Sequence, residues 1–194
     1  MPSLATRTYR SIPTPRPWAR PCAEDRSDAS VSRPEAVSLL GARTMTTAPP
    51  EALAVVETAL RMLDLVPAEV LVSKPDALPS WSMKRGSAKV VVGLVAREAL
   101  GTEGVHLRVV APIVVFAEDT REALFLRLLQ LNAAGLSWCA FGILGDSVVV
   151  VAERPTENLE PEEVVQTIRQ VAAVADTFDD RLVAEFGGKR SCDF

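Results

Sequence analysis

The side chains that could carry out catalysis are few and scattered in this sequence. His106 is the single histidine, and it follows Val105 in a stretch whose alternate positions 105, 107 and 109 are apolar. On a strand, that alternation places His106 on the polar side. A general base needs a nucleophile or an orienting carboxylate within hydrogen-bond reach, and the sequence around His106 suggests neither. We therefore expect a structural role for this residue.

The three cysteines also lack a pattern that would support chemistry. Cys22, Cys139 and Cys192 are odd in number and far apart, and they do not have metal-ligand spacing. Cys139 lies in an apolar stretch and is predicted to be a small core residue. Unpaired cysteines are typical of a reducing compartment, and the N-terminal residues lack the apolar segment of a secretory signal. We therefore expect a cytoplasmic protein.

Two short segments suggest ligand binding, but their context argues against it. Residues 187–191, Gly-Gly-Lys-Arg-Ser, resemble the end of a phosphate loop, yet they lack its earlier glycine and follow a predicted helix instead of a strand. Glu160, Glu162 and Glu163 suit a helix N-terminus and lack the alternating ligands of a calcium loop. The sequence thus predicts no catalytic residues, no metal site and no cofactor, and we do not expect an enzyme.

Charge and hydropathy argue against two further classes of protein. Residues 1–44 carry seven arginines and four acidic residues, whereas residues 45–194 carry 14 basic and 21 acidic residues. Such an acidic body argues against binding to nucleic acid, which requires a basic face. Residues 128–145 contain no charged side chain, but polar residues and glycines interrupt the run. A membrane-spanning helix is therefore not predicted.

The elements at both ends of the chain have clear periodicity. Apolar residues at spacings of three and four predict a helix over 50–65, and a longer helix over 161–186 that carries Phe178 and Phe186 on its apolar face. Residues 68–117 are rich in strand formers, with a short strand predicted over 69–74. Residues 80–98 are predicted to form one long strand or two short ones, with the break at Arg85-Gly86. Pro112 indicates that the strand 105–116 lies at a sheet edge or is bulged.

The stretch from Gly104 to Arg154 organises the rest of the chain as strand, helix and hairpin. Asp119 and Glu122 have capping-box spacing for a central helix over 120–135, and Gly145-Asp146 predicts the turn of a hairpin over 136–154. The predicted order is helix, antiparallel β-meander, helix, β-hairpin and long C-terminal helix. This order predicts an α+β fold.

The composition divides the chain into one domain and two tails. Residues 1–49 are rich in Pro, Ser, Thr and Arg and are predicted to be a disordered N-terminal tail. Met45 precedes the first helix closely, so we expect it to be the natural start, with 1–44 upstream of it. Residues 50–188 form the α+β domain, and 189–194 are predicted to be a flexible C-terminus.

The domain resembles the YbjN family of bacterial proteins, which is similar in fold to the type III secretion chaperones. The residues that carry the resemblance are LRVVAPIVVF (107–116), LLQLNAAG (128–135), the hairpin 136–153, and 159–188 with its Ala175-Asp176 and Phe186-Gly187. The resemblance implies a helix–sheet–helix dimer that binds other proteins, and it offers no catalytic residues. Asn132 and Asp176 could satisfy nearby backbone groups or contact a partner, and we favour the structural role.

The strands are apolar on both faces, which suggests an interface. On strand 105–116 the second face becomes apolar at its end, and the hairpin repeats this pattern; the predicted partner or dimer interface is Val110, Val114, Phe116, Val149 and Val151. Helices on one face would leave the other exposed, and a closed twofold dimer is the commonest way to bury it. We expect a homodimer, with the sheet or the central helix at the interface, that acts as a chaperone-like or regulatory protein-binding module. The alternative is a domain that senses a small ligand or signal.

Overall fold

The computed structural model describes residues 18–19, 47–74, 77–99 and 102–193. The expected start at Met45 and most of the expected disordered tail lie outside these ranges. In chain order the elements are β1 (Trp18–Ala19), α1 (Pro50–Met62), α2 (Pro67–Val70), β2 (Ser80–Arg85), β3 (Ala88–Ala99), β4 (Thr102–Val115), a 3-10 turn (Glu118–Thr120), α3 (Arg121–Ala134), β5 (Ala140–Leu144), β6 (Ser147–Pro155), α4 (Pro161–Phe186), β7 (Lys189–Arg190) and a second 3-10 turn (Ser191–Asp193).

The strands form one antiparallel sheet in the order β1-β2-β3-β4-β6-β5, and β7 pairs with the end of β4. Helices α1, α3 and α4 all bury side chains in the same core cluster as one face of this sheet. The predicted α+β fold is therefore confirmed. Among the described residues, the side chains of the other face form a second, smaller cluster that comes from strands alone.

Helix α4 covers much of the sheet because its apolar residues repeat at helical spacing. It buries Val164, Ile168, Val171, Ala175 and Leu182, while Phe178 and Phe186 pack against the core and stay partly exposed. Its capping box joins Glu160 and Glu163, whose side chain accepts a hydrogen bond from the Glu160 N–H at 3.2 Å. The capping box defines where the helix begins, and the apolar spacing defines which side of it packs against the sheet.

The prediction of a capping box at the start of the central helix is wrong. Helix α3 begins at Arg121 after Thr120, which makes no side-chain cap, and Asp119 lies in the preceding 3-10 turn. The Thr120 hydroxyl instead donates to the backbone carbonyl of Phe186. The start of α3 is thus tied to the end of α4, a long-range contact that local spacing does not reveal.

Strand β4 is bulged at Pro112, which is one of the two alternatives that the proline suggested. Its register against β6 shifts between Pro112 and Val114, because proline has no N–H to give to a ladder. The edge alternative is wrong, since β4 lies between β3 and β6. The extra residue brings Ile113 and Val114 into the helix-covered core, so strict alternation does not hold beyond the bulge.

The hairpins follow the sequence closely, and the start of the β region does not. Turns at Gly86 and Gly145, both with φ of 61°, join β2 to β3 and β5 to β6. The second hairpin was predicted, and the first shows that residues 80–98 form two strands, one of the two alternatives, with the break at Arg85-Gly86. The strand expected over 69–74 is instead the short helix α2 followed by Leu71, which forms a single bridge with Trp81.

Both chain ends depart from the expectation of free tails at the positions that the structure describes. Trp18–Ala19 pairs with β2, and Lys189–Arg190 pairs with Val114 and Val115. Arg190 donates at 3.0 Å to Asp180 and to Asp193. The C-terminal residues therefore fold back onto β4 because Gly188, with φ of 87°, allows the chain to turn there.

We expect Gly188→Ala to lower the free energy of unfolding by about 2–3 kcal/mol, because an L-residue is strained at this φ. An added Cβ would also collide with the backbone carbonyl of Val115. Gly145→Ala is the matched control: its φ is also positive, but open space surrounds it, so about 1 kcal/mol is expected. Urea denaturation measures both, and equal losses would contradict the close approach at Gly188.

Candidate functional site

The five predicted interface residues do not lie together on one surface. Val110 and Val149 belong to the second cluster, on the face that the helices do not cover, and Val151 packs against it. Val114 and Phe116 belong to the helix-covered core, because the bulge at Pro112 moves them there. Val110, Val114 and Val149 are buried. The role of these five residues at a partner or dimer interface stays a prediction.

His106 lies on the polar side of β4, as expected, within a cluster of charges. Glu153 accepts hydrogen bonds from Arg97 at 2.7 and 3.0 Å and from Arg108, and its Oε1 lies 3.6 Å from His106 Nδ1. Burial alone would raise the pKa of Glu153, but the hydrogen bonds from Arg97 and Arg108 lower it below its usual value. One carboxylate held by two guanidinium groups cross-links β3, β4 and β6, which is a structural role.

Helix α3 and strand β5 carry an exposed apolar surface that sequence spacing did not single out. Leu126 and Leu129 are 59% and 66% exposed, Trp138 is 73% exposed and Ile143 is 41% exposed. We call these four residues the α3–β5 patch. Large apolar side chains exposed together are unusual in a protein that stays a monomer.

The patch exists because α3 is apolar on two sides. Leu124 and Leu128, four residues apart, face the core and are buried. Leu126 and Leu129 lie on another side of the helix and stay exposed. The signal in the sequence that could have found the patch is this second pair of leucines, three residues apart on one helix.

Asn132 fixes α3 against the edge of the sheet. Its Nδ2 donates to the Phe141 carbonyl at 3.1 Å, and its Oδ1 accepts from the Phe141 N–H at 2.8 Å. Since β6 lies on the other side of β5, these Phe141 groups point to the outer edge. The Asn132 amide thus takes the place of a neighbouring strand, and the structural role that we favoured for Asn132 is confirmed.

The loop between α3 and β5 presents Trp138 to solvent. Ser137 and Trp138 have φ of 48° and 66°, an uncommon conformation for residues other than glycine. The Leu136 carbonyl accepts hydrogen bonds from Gln170 Nε2 at 3.1 Å and from Cys139 Sγ at 3.2 Å, which anchors the loop to α4. Backbone strain at an exposed tryptophan is a mark of functional sites.

We expect Asn132→Ala to lower the free energy of unfolding by about 1–3 kcal/mol, because both Phe141 backbone groups lose their partners. Amide hydrogen exchange should also become faster at Phe141. Gln130→Ala, at an exposed position on the same helix, is the control and should change neither quantity. Unchanged protection at Phe141 in Asn132→Ala would mean that another group holds this edge.

A second apolar surface lies at the opposite edge of the sheet. Met62, Val66, Leu71 and Val72 are exposed, and they follow one another from the end of α1 to the start of β2. We call these residues the α1–β2 patch. Its residues Leu71 and Val72 lie beside the β2 edge, because Leu71 bridges Trp81 and the Val72 N–H donates to the Ser80 carbonyl at 2.8 Å. An extended segment is therefore already paired with part of this edge.

Other residues singled out in the sequence have structural contacts. The Ser87 hydroxyl lies 3.2 Å from an oxygen of Asp176 and 2.7 Å from one of Asp179, so Asp176 helps to join α4 to the β2–β3 turn. Burial raises the pKa of the Cys139 thiol, which keeps it protonated. Within the ranges that the structure describes, no three His, Cys, Asp or Glu residues are grouped as metal ligands.

A membrane-spanning helix must be both long and predominantly apolar. Among the helices that the structure describes, none combines the length and the apolar composition that crossing a bilayer requires.

Comparison with known proteins gives a family and two solved structures with limited similarity to this chain. No curated protein matches the chain. A chain of the ExsC–ExsE complex is 18% identical, with a TM-score of 0.46 over 66% of this chain and 91% of the other. A chain of the HopA1–SchA chaperone–effector complex is 14% identical, with a TM-score of 0.47 over 69% of this chain and 99% of the other. Residues 54–193 match the family described as "T3SS (YopN, CesT) and YbjN peptide-binding chaperone 1". The chain therefore belongs to this family of peptide-binding chaperones, TY-Chap1, in agreement with its resemblance to YbjN.

Proposed function

We propose that the protein is a homodimeric, non-enzymatic module that binds an extended segment of a partner protein, in a chaperone-like or regulatory role. The observation that carries this proposal is the pair of exposed apolar patches at opposite edges of one sheet. Membership of a peptide-binding family supports a peptide ligand. Two patches allow two contacts at once: one with a second copy and one with a partner.

The α3–β5 patch suits a second copy of the chain. Its side chains are uncharged, and nearby Arg127 faces away toward Glu185 on α4, with a nitrogen–oxygen distance of 3.9 Å. An apolar helix face of this kind can pack against its own twofold copy, as isologous dimers require. Asn132 already occupies the β5 edge at Phe141, which favours helix packing over strand addition on this side.

The α1–β2 patch suits the partner's segment. The β2 edge pairs with Leu71–Val72 at one end and with Trp18–Ala19 at the other. Neither segment is joined to β2 by a tight hairpin. The β2 edge therefore pairs with extended segments that do not belong to a local β-hairpin. Main-chain hydrogen bonds along a strand edge contribute to binding affinity, and apolar side chains beside that edge determine which peptide sequences bind. We therefore propose that the partner contributes an extended segment with apolar residues.

We also propose that the protein acts in the cytoplasm.

The test is selection from a display library of random peptides on the full-length protein. Recovered peptides should be apolar at alternate positions and should bind with micromolar dissociation constants. Val72→Asp places a charge in the α1–β2 patch and should weaken binding by about tenfold or more, since a buried charge without a partner is costly. Ile143→Asp is the matched control in the other patch and should bind as the wild type does.

The opposite pattern, with loss only in Ile143→Asp, would move the peptide site to the α3–β5 patch. Recovery of no peptide at all would favour the alternative, a small-ligand or signal-sensing domain.

A further inference from the structure

The outermost strand of the sheet comes from the N-terminal part of the chain. Trp18 pairs with Arg85 and Ala19 with Lys84, antiparallel to β2. The whole of α1 and α2 separates β1 from β2 in the sequence. This strand is therefore added to an edge that the β2–β3–β4 meander leaves open.

The pairing geometry shows which groups join the two strands. On the outer side of β2, the Ser80 carbonyl accepts from the Val72 N–H. Because backbone direction alternates along a strand, the N–H and C=O of Ser82 and Lys84 face the same outer edge. Lys84 and Ala19 are thus the hydrogen-bonded pair, and the Ala19 N–H is the donor that β1 contributes.

The sequence around β1 limits how strongly it can pair. Pro17 and Pro21 flank the strand, and proline lacks the N–H that a ladder requires. Ladder donors are therefore confined to the residues between the two prolines. A longer extended segment without prolines could form more hydrogen bonds along the same edge.

We propose that β1 is an intramolecular competitor, a segment of the chain that occupies in cis the part of the β2 edge where a partner's extended segment pairs. That a partner binds at this part of the β2 edge rests on the proposed function. Occupation of the same edge by β1 can be tested without any partner. Residues 20–46 connect β1 to α1 in the sequence, and a covalent connection between a segment and its binding site can give effective concentrations on the order of millimolar. A weakly pairing strand is then enough to hold back ligands that bind in the micromolar range.

The experiment uses the full-length chain and a fluorescent peptide with the sequence of residues 11–26 as the probe. Ala19→Pro in the protein removes the donor to Lys84, so the edge should open and bind the probe about tenfold more tightly than the wild type. Ala19→Val is the matched control, since valine keeps the N–H and favours strands. It should bind the probe no better than the wild type. Fluorescence anisotropy gives the affinities.

Amide hydrogen exchange locates the effect. The Lys84 amide should exchange faster in Ala19→Pro and should be protected again when the probe is added. Equal probe binding by wild type and Ala19→Pro would overturn the proposal, and so would tighter binding without a change at Lys84. These results do not depend on the library peptides, so failure here is distinguishable from failure of the proposed function.

Discussion

A protein carrying both Leu126→Glu and Leu129→Glu is expected to sediment as a monomer at micromolar concentration, whereas the wild type is expected to sediment as a dimer. Both leucines are exposed in the single chain, so the substitutions should leave its fold intact. Burial of a leucine side chain contributes roughly 1.5–3 kcal/mol. The twofold dimer loses four such side chains, two from each copy. Although each is already partly buried in the single chain, the dimer should weaken by about three orders of magnitude or more, since each 1.4 kcal/mol is tenfold.

A matched pair on another helix separates this effect from added charge. Gln166 and Ala173 are exposed on α4, and their spacing of seven residues places them on one side of that helix. Gln166→Glu with Ala173→Glu adds the same two carboxylates outside the α3–β5 patch and should remain dimeric. Sedimentation equilibrium measures all three proteins, with circular dichroism to verify the fold. A wild-type monomer would contradict the proposed dimer, and a dimeric leucine variant would move its interface away from this patch.

Local signals in the sequence predicted most elements of the fold. Periodicity predicted α1 and α4, and Gly145-Asp146 predicted the second hairpin, because each signal acts over a few residues. The break at Arg85-Gly86 was predicted, but whether one strand or two would form there was left open. The errors occur where distant residues decide the outcome. Thr120 bonds to the Phe186 carbonyl instead of taking part in a local cap, and Lys189–Arg190 becomes a strand only because the end of β4 is within reach.

The candidate surface was harder to predict because it depends on which apolar residues stay exposed. Alternation along β4 placed Val114 beside Val110, but a single bulge moved it to the other face. A one-residue shift reverses the face of every following side chain. The leucines of α3 were visible in the sequence, yet only the structure shows that Leu124 and Leu128 are buried while Leu126 and Leu129 stay exposed.

Phe178→Ala is expected to lower the free energy of unfolding by about 3 kcal/mol, at the lower end of the range for a phenylalanine truncated in a core. Phe178 packs edge-on against Phe141, with ring centroids 5.2 Å apart, and so joins α4 to β5. Its ring is partly exposed, and the Arg181 guanidinium lies 5.7 Å from its centroid, which is why we do not expect the full loss. For a chain of this length the change corresponds to a melting temperature roughly 6–12 °C lower.

Phe178→Leu provides the control, because leucine keeps most of the apolar contact and removes only the aromatic pair. Aromatic pairs contribute about 0.5–1.5 kcal/mol beyond their buried area, so this variant should lose about 1 kcal/mol. Thermal melts by circular dichroism, at one protein concentration because a dimer's melting temperature depends on it, compare the two. A shift of only one or two degrees in Phe178→Ala would show that the contact between α4 and β5 does not depend on this ring, and that the buried residues further along α4 hold it in place.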